Sequence, residues 1–107
     1  MKFVNHVNYV SDALKVSSAR PAHRQYADRL MANGKLVTAG PFSDGSGALL
    51  IYEADSYDEA RDLFLKDPFA MEGAIQSYDI RPWTILGVNL ALLPAEAPRA
   101  PVVSAGQ

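Results

Sequence analysis

Alternation of apolar and polar residues predicts four β-strands in this chain. Each segment is rich in β-branched and aromatic residues, which suit a pleated and half-buried surface. The strands are predicted over Lys2 to Val10, Lys35 to Phe42, Gly47 to Ala54 and Ala74 to Ile85. Between the second and third strands, the run Ser43-Asp44-Gly45-Ser46 has the composition of a tight turn, so we expect these strands to form a hairpin.

Apolar residues at steps of three and four predict a first helix from Ser17 to Asn33. We expect Ser17 or Ser18 to cap its start and Pro21 to lie in its first turn, where a missing N–H is no loss. Gly34 is suited to the left-handed turn that ends a helix. The inward-facing stripe consists of Ala19, His23, Tyr26, Ala27, Leu30 and Met31.

A second helix is predicted from the capping box Ser56-Tyr57-Asp58-Glu59 to about Lys66. Its inner face carries Tyr57, Ala60, Leu63 and Phe64. Asp67-Pro68-Phe69 follows directly and favours one short helical turn, because aspartate caps helices and proline suits their first position.

The predicted order is therefore β-α-β-β-α-β, which indicates an α+β, ferredoxin-like protomer. In that fold four antiparallel strands carry both helices on one face. Two short helices cannot cover all the apolar residues of the four strands. We therefore expect a homodimer that buries the open face of the sheet. The residues behind this expectation are Val37, Leu49, Ile51, Ile75 and Ile80.

Length and composition fit one domain with a terminal extension. The chain has 107 residues, and 49% of them are hydrophobic, which is enough for one packed core. We assign residues 1–85 to the domain and residues 86–107 to a C-terminal extension. Within the extension, the apolar residues 87–93 either lengthen the last strand or cross to a partner subunit. Residues 94–107 are rich in proline and alanine, which is typical of a flexible tail.

Several classes of function are disfavoured. The net charge of −2 argues against binding of nucleic acid. The chain has no cysteine, which excludes disulfides, thiolate metal sites and cysteine nucleophiles. It has no apolar run near 18 residues, and its start, MKFVNHVNYV, fits neither a membrane span nor a signal peptide. The two histidines match no metal-ligand spacing, and no phosphate-binding loop is present. We therefore expect a cytoplasmic protein that does not bind membranes and uses neither metal nor cofactor.

Three residues are the main candidates for chemistry, and each has two interpretations. His23 lies in the apolar stripe, either as a hydrogen-bonded core residue or, in or near the first turn, as a neutral general base. Asp67 is either a helix cap or a carboxylate that orients a histidine. Arg20 lies one turn before His23 and either faces solvent or holds a substrate anion.

Four groups of residues carry a resemblance to a known family. In their order and spacing they resemble the YciI-like (YCII-related) proteins over about residues 1–85. The groups are Arg20-Pro21-Ala22-His23, Gly40-Pro41-Phe42, Asp67-Pro68-Phe69 with Gly73, and Ile80-Arg81-Pro82-Trp83. This resemblance implies a dimeric α/β barrel built from ferredoxin-like protomers.

The resemblance also implies an active pair. A histidine on the first helix and an aspartate after the second map onto His23 and Asp67, and an arginine three residues before the histidine maps onto Arg20. Relatives include an enzyme that removes chloride from a chlorinated hydroxyhydroquinone, and the wider superfamily includes isomerases. The polar first strand departs from the family pattern and indicates a different ligand. Together with Arg20, His6 of the first strand and Ser77 of the last strand are candidate substrate-binding residues.

Three hypotheses follow. In the first, the chain is a small cofactor-independent enzyme in which His23 and Asp67 act as an acid–base pair. The reaction is elimination, as in a dehydrochlorinase, or isomerisation of a small oxygenated and cyclic compound. Anionic compounds are among the candidate ligands. In the second, the same site binds a small molecule without catalysis. In the third, the chain is a dimerisation unit that carries a tail.

Overall fold

The structure is a computed structural model that describes residues 1–94. In chain order, the elements are β1 (Lys2–Tyr9), α1 (Ala13–Ala32), β2 (Leu36–Pro41), β3 (Gly47–Glu53), α2 (Tyr57–Leu65), α3 (Pro68–Met71) and β4 (Ile75–Trp83). The four strands form one antiparallel sheet in the order β2-β3-β1-β4. The predicted α+β fold is confirmed, since this strand order, with helices that connect β1 to β2 and β3 to β4, is the ferredoxin-like arrangement.

Alternate residues of β1 mark the two faces of the sheet. Phe3, Asn5, Val7 and Tyr9 are all buried, whereas His6 between them is exposed. The cross-strand partners of Phe3, Asn5 and Val7 lie on the same face, and the buried ones are Ala48, Leu50, Tyr52 and Ile80. These residues form one core cluster with side chains from all three helices, namely Val16, Ala19, Leu30, Ala60, Phe64 and Phe69. Both long helices therefore cover the same face, as predicted.

The first helix begins four residues earlier than predicted. The Asp12 carboxylate caps α1 by accepting hydrogen bonds from the backbone N–H groups of Leu14 and Lys15. The predicted cap at Ser17 or Ser18 is wrong, because both residues lie inside the helix. An aspartate cap satisfies N–H groups that would otherwise lack partners. The helix therefore starts nearer the N-terminus of the chain than predicted.

This earlier start changes the position of two predicted features. Pro21 lies inside α1 rather than in its first turn, and its ring is exposed. His23 lies ten residues after Ala13, which is about three turns into the helix. The N-terminal dipole acts only within the first turn, so it does not explain a neutral His23, and that part of the interpretation is wrong.

The apolar residues predicted for the open face divide between the two faces. Ile80 lies opposite Asn5 on the face that the helices cover, and Ile75 packs against the same core. Leu49 lies opposite exposed His6, so it belongs to the open face, where it is 39% exposed. The five residues therefore do not share one face, because a register read from sequence does not fix which face each strand presents.

The C-terminal extension is not a continuation of the last strand. β4 ends at Trp83, and residues 90–92 form a single 3₁₀ turn, so the strand-extension alternative is wrong. Leu86, Leu90 and Leu92 are exposed within this segment. The predicted flexible tail comprises residues 94–107. Residues 95–107 lie outside the part of the chain that the structure describes. Within residues 1–94, no helix is long and apolar enough to cross a membrane.

Candidate active site

The apolar stripe of α1 determines where His23 points. Val16, Ala19 and Leu30 are buried in the core, and His23 follows Ala19 by four residues, so it lies on the same face of the helix. The His23 side chain is 15% exposed. It is therefore held against the protein while part of its ring remains open to solvent.

Asp67 is positioned by the short helix α3. Its carboxylate oxygen Oδ1 accepts a hydrogen bond from the backbone N–H of Phe69 at 2.9 Å, and Pro68 occupies the first helical position. The predicted helix cap is confirmed. Gly73 then adopts a φ of +76°, a left-handed conformation suited to glycine, which turns the chain back toward β4. The Asp67 side chain is 4% exposed.

His23 and Asp67 are in direct contact. The Nδ1 atom of His23 lies 2.9 Å from each carboxylate oxygen of Asp67. An ionised carboxylate only accepts hydrogen bonds, so with Asp67 in that form Nδ1 is the donor, and Nε2 of a neutral ring carries the lone pair. The predicted contact is confirmed, while the catalytic role of the pair stays a prediction.

Phe69 fixes the plane of the histidine ring. The two rings stack with their centroids 4.0 Å apart and their planes inclined by 15°. Phe69 itself is 3% exposed and belongs to the core. The carboxylate and the aromatic face together restrict rotation of His23, so its Nε2 atom has a defined direction.

Tyr9 is a site residue that sequence reasoning missed. Its ring centroid lies 5.3 Å from that of Phe69, on the side of β1 that the helices cover. Burial raises the pKa of Tyr9, and the nearby Arg20 guanidinium lowers it by a smaller amount. Tyr9 was interpreted only as an apolar strand residue, and nothing in its local pattern distinguishes it from a packing tyrosine. Arg20 is half-buried beside it, one turn before His23.

The structure does not bring His6 and Ser77 to this site within one chain. Both lie on the open face of the sheet, where His6 contacts the Phe42 ring and Ser77 Oγ accepts a hydrogen bond from the side-chain amide of Asn8. Asn5, between His6 and Val4, points instead into the core, where its amide donates to the Tyr52 hydroxyl at 3.5 Å. The sheet therefore separates these two candidates from His23.

A surface cavity of about 330 Å³ lies at the other end of β1. It is lined by Met1, Lys2 and residues 82–85, whereas Tyr9 and the His23 site lie where β1 ends. This cavity is not part of the candidate site, and the predicted cleft beside His23 stays a prediction. Among residues 1–94, no three histidine or acidic side chains cluster closely enough to hold a metal ion.

Comparison with known families identifies the class of protein. The family model of the YCII-related domain matches residues 1–84. The chain therefore belongs to this family, which confirms the resemblance described above. The chain is 36% identical over 63 residues to the uncharacterised protein YjpA of Bacillus subtilis (strain 168), an alignment that covers 59% of this chain and 73% of YjpA.

A solved structure of an enzyme is also similar. It is the 5-chloro-2-hydroxyhydroquinone dehydrochlorinase TftG from Burkholderia phenoliruptrix AC1100, in complex with 2,5-dihydroxybenzoquinone. The TM-score is 0.69 and the sequences are 28% identical, over 78% of this chain and 94% of TftG. The chain therefore shares its fold with a dehydrochlorinase that binds a small molecule.

Proposed function

We propose that this chain is a small cofactor-independent enzyme that eliminates chloride from, or isomerises, a small oxygenated cyclic compound. The observation that carries the proposal is the contact between His23 Nδ1 and the Asp67 carboxylate at 2.9 Å. A histidine oriented by a carboxylate is a common arrangement for proton transfer near neutral pH. Here the two side chains are also largely withdrawn from water, at 15% and 4% exposure.

In this proposal His23 Nε2 is the proton acceptor. In an elimination, Nε2 takes a proton from the substrate, the electrons of the broken bond move into the carbon skeleton, and chloride leaves with the electrons of the C–Cl bond. In an isomerisation, the same proton returns to a different carbon. Asp67 stabilises the imidazolium that forms and keeps the ring in the required tautomer.

The likeness to TftG supports a ring-shaped and oxygenated substrate. The ligand in that structure, 2,5-dihydroxybenzoquinone, is a planar ring with four oxygen substituents. We propose that Arg20 binds one such oxygen in this chain, since a guanidinium suits an anionic oxygen. His6 and Ser77 remain candidates for a binding surface on the open face.

We also propose that the chain acts as a homodimer that buries the open face of the sheet. Leu49, which lies on this face, leaves 39% of its surface exposed. Pairing of two such faces would form the dimeric α/β barrel that the family resemblance implies, and would place His6 and Ser77 inside it.

Release of chloride from 5-chloro-2-hydroxyhydroquinone tests the enzymatic proposal. Wild-type protein should release chloride faster than the buffer control, and His23→Gln should lower this rate by about 10²-fold or more. Arg24→Gln is the matched control, because Arg24 is an exposed neighbour on the same helix. Binding of the compound without chloride release or isomerisation would contradict the enzymatic proposal and favour a non-catalytic binding module.

A further inference from the structure

The end of β1 pairs irregularly with β4 beside Tyr9. Asn8 lies opposite Ser77 on β4, but Tyr9 lies opposite Ile75, so β4 carries one extra residue, Gln76, at this point. Such bulges are frequent beside functional sites, while Tyr9 keeps the alternation of β1 and stays buried on the face that the helices cover. Here the Tyr9 ring packs against Phe69, the same ring that stacks on His23. Tyr9 and His23 are thus held by a shared neighbour.

Arg20 is near the Tyr9 hydroxyl and lies one helical turn before His23. The Arg20 guanidinium is close enough to Tyr9 to lower the pKa of its hydroxyl. Arg20 also precedes His23 by three residues, which places both on one face of α1. Burial raises the pKa of Tyr9, and the Asp67 carboxylate adds to this rise, while Arg20 opposes it. Because the net direction is upward from 10.0, the hydroxyl keeps its proton at neutral pH and can donate a hydrogen bond.

We propose that the Tyr9 hydroxyl, positioned by Arg20, donates a hydrogen bond to the substrate oxygen that becomes negative when His23 accepts a proton. The inference rests on the proposed function, and it assigns a separate residue and a separate step. A donor aimed at developing charge in a water-poor site stabilises the transition state without reorganisation. The substrate class that fits is a ring with a hydroxyl or carbonyl oxygen conjugated to the reacting carbon.

The Tyr9→Phe variant tests this role, with 2,5-dihydroxybenzoquinone as the probe. The probe is an acidic hydroxyquinone, so it presents an anionic oxygen to the site at neutral pH. Phenylalanine keeps the ring that packs on Phe69 and removes only the donor. Tyr57→Phe is the matched control, because Tyr57 lies at the start of α2 and is 42% exposed. Dissociation constants are measured by titration, and urea unfolding is measured for each variant.

Wild-type protein should bind the probe, and Tyr9→Phe should weaken binding by about 10-fold or more, as expected for loss of a hydrogen bond to a charged group. Tyr57→Phe should change it by less than about 2-fold. Arg20→Gln provides a second test: it should weaken binding, and the double variant should lose less than the product of the two single losses. Arg24→Gln should bind like wild type.

Two results would overturn the inference: absence of probe binding by wild type at millimolar concentration, or binding by Tyr9→Phe within 2-fold of wild type. Its failure is distinct from failure of the proposed function. If wild type releases chloride and only His23→Gln loses this activity, while Tyr9→Phe is unchanged in both kcat and probe affinity, the function stands and the role of Tyr9 falls. If no turnover occurs but Tyr9→Phe loses affinity, the enzymatic function falls together with the catalytic role of Tyr9, and Tyr9 is then only a hydrogen-bond donor to a bound anionic oxygen.

Discussion

The Nδ1 atom of His23 lies 2.9 Å from both carboxylate oxygens of Asp67, although the two residues are 44 positions apart. The contact joins the middle of α1 to the start of α3. Each partner has a structural task as well: His23 continues the buried stripe of α1, and Asp67 caps α3. The structural and chemical interpretations of these residues are therefore compatible, and only experiments that separate the two tasks can test the chemistry.

The start of α1 can be tested by stability measurements. Asp12→Ala should lower the free energy of unfolding by about 1 kcal/mol, because the N–H groups of Leu14 and Lys15 lose their acceptor. Ser18→Ala should leave stability unchanged or raise it slightly, since alanine is the better residue inside a helix. Urea unfolding measures both. A larger loss for Ser18→Ala than for Asp12→Ala would indicate that the helix starts later.

The proposed dimer can be tested with a charge on the open face. Leu49→Asp should convert a dimer into a monomer of 11.6 kDa, because an unpaired carboxylate would be buried between the two sheets. Leu14→Asp is the control, since Leu14 is 73% exposed at the start of α1. Sedimentation velocity at micromolar concentration distinguishes the two states. A wild-type monomer, or a Leu49→Asp dimer of unchanged affinity, would contradict the open-face interface.

Glu53 gives a prediction for acid stability. Its carboxylate accepts hydrogen bonds from the Lys2 ammonium and from the amino terminus, which lower its pKa from 4.5 to about 2. Because the pKa in the folded state is depressed, the stabilising contribution is complete above pH 4.5 and is lost as pH falls toward 2.

Glu53→Gln should therefore reduce stability at pH 7 and have little effect near pH 2. The urea midpoint, measured across this range at low salt, reports the difference. Glu72→Gln, an exposed glutamate at the end of α3, should leave the pH profile of wild type unchanged. A Glu53→Gln profile that runs parallel to wild type from pH 7 to pH 2 would show that the pair does not stabilise the fold.

Sequence periodicity was sufficient for the fold but not for every boundary. Alternating apolar residues and the capping box at Ser56 identified strands and a helix whose signals are local. The start of α1 was misplaced because Asp12 and Ser17 are both good capping residues, and the choice between them depends on how far the helix packs on the sheet. Pro21 reinforced the error, since its preference for a first turn is strong but not absolute.

The candidate site was predicted in part for a similar reason. His23 was found from its place in the apolar stripe, and Asp67 from its position before proline, with the family resemblance linking them. Sequence did not indicate that His6 lies on the opposite face of the sheet from His23, because Asn5, His6 and Asn8 put polar groups on both faces of β1. Tyr9 had no distinguishing signal, since its place beside the site depends on contact with Phe69, which is a tertiary feature.

The most direct test of the central claim compares Asp67→Asn with Asp12→Asn in the chloride-release assay. Both aspartates cap helices, and asparagine caps nearly as well, so neither change should unfold the protein. Asp67→Asn places an amide against His23 Nδ1, removes the compensating charge and permits the wrong tautomer. We predict that its kcat falls by about 10²-fold or more, while Asp12→Asn stays within 2-fold of wild type. Equal activity in Asp67→Asn and wild type would contradict the claim that Asp67 prepares His23 for proton transfer.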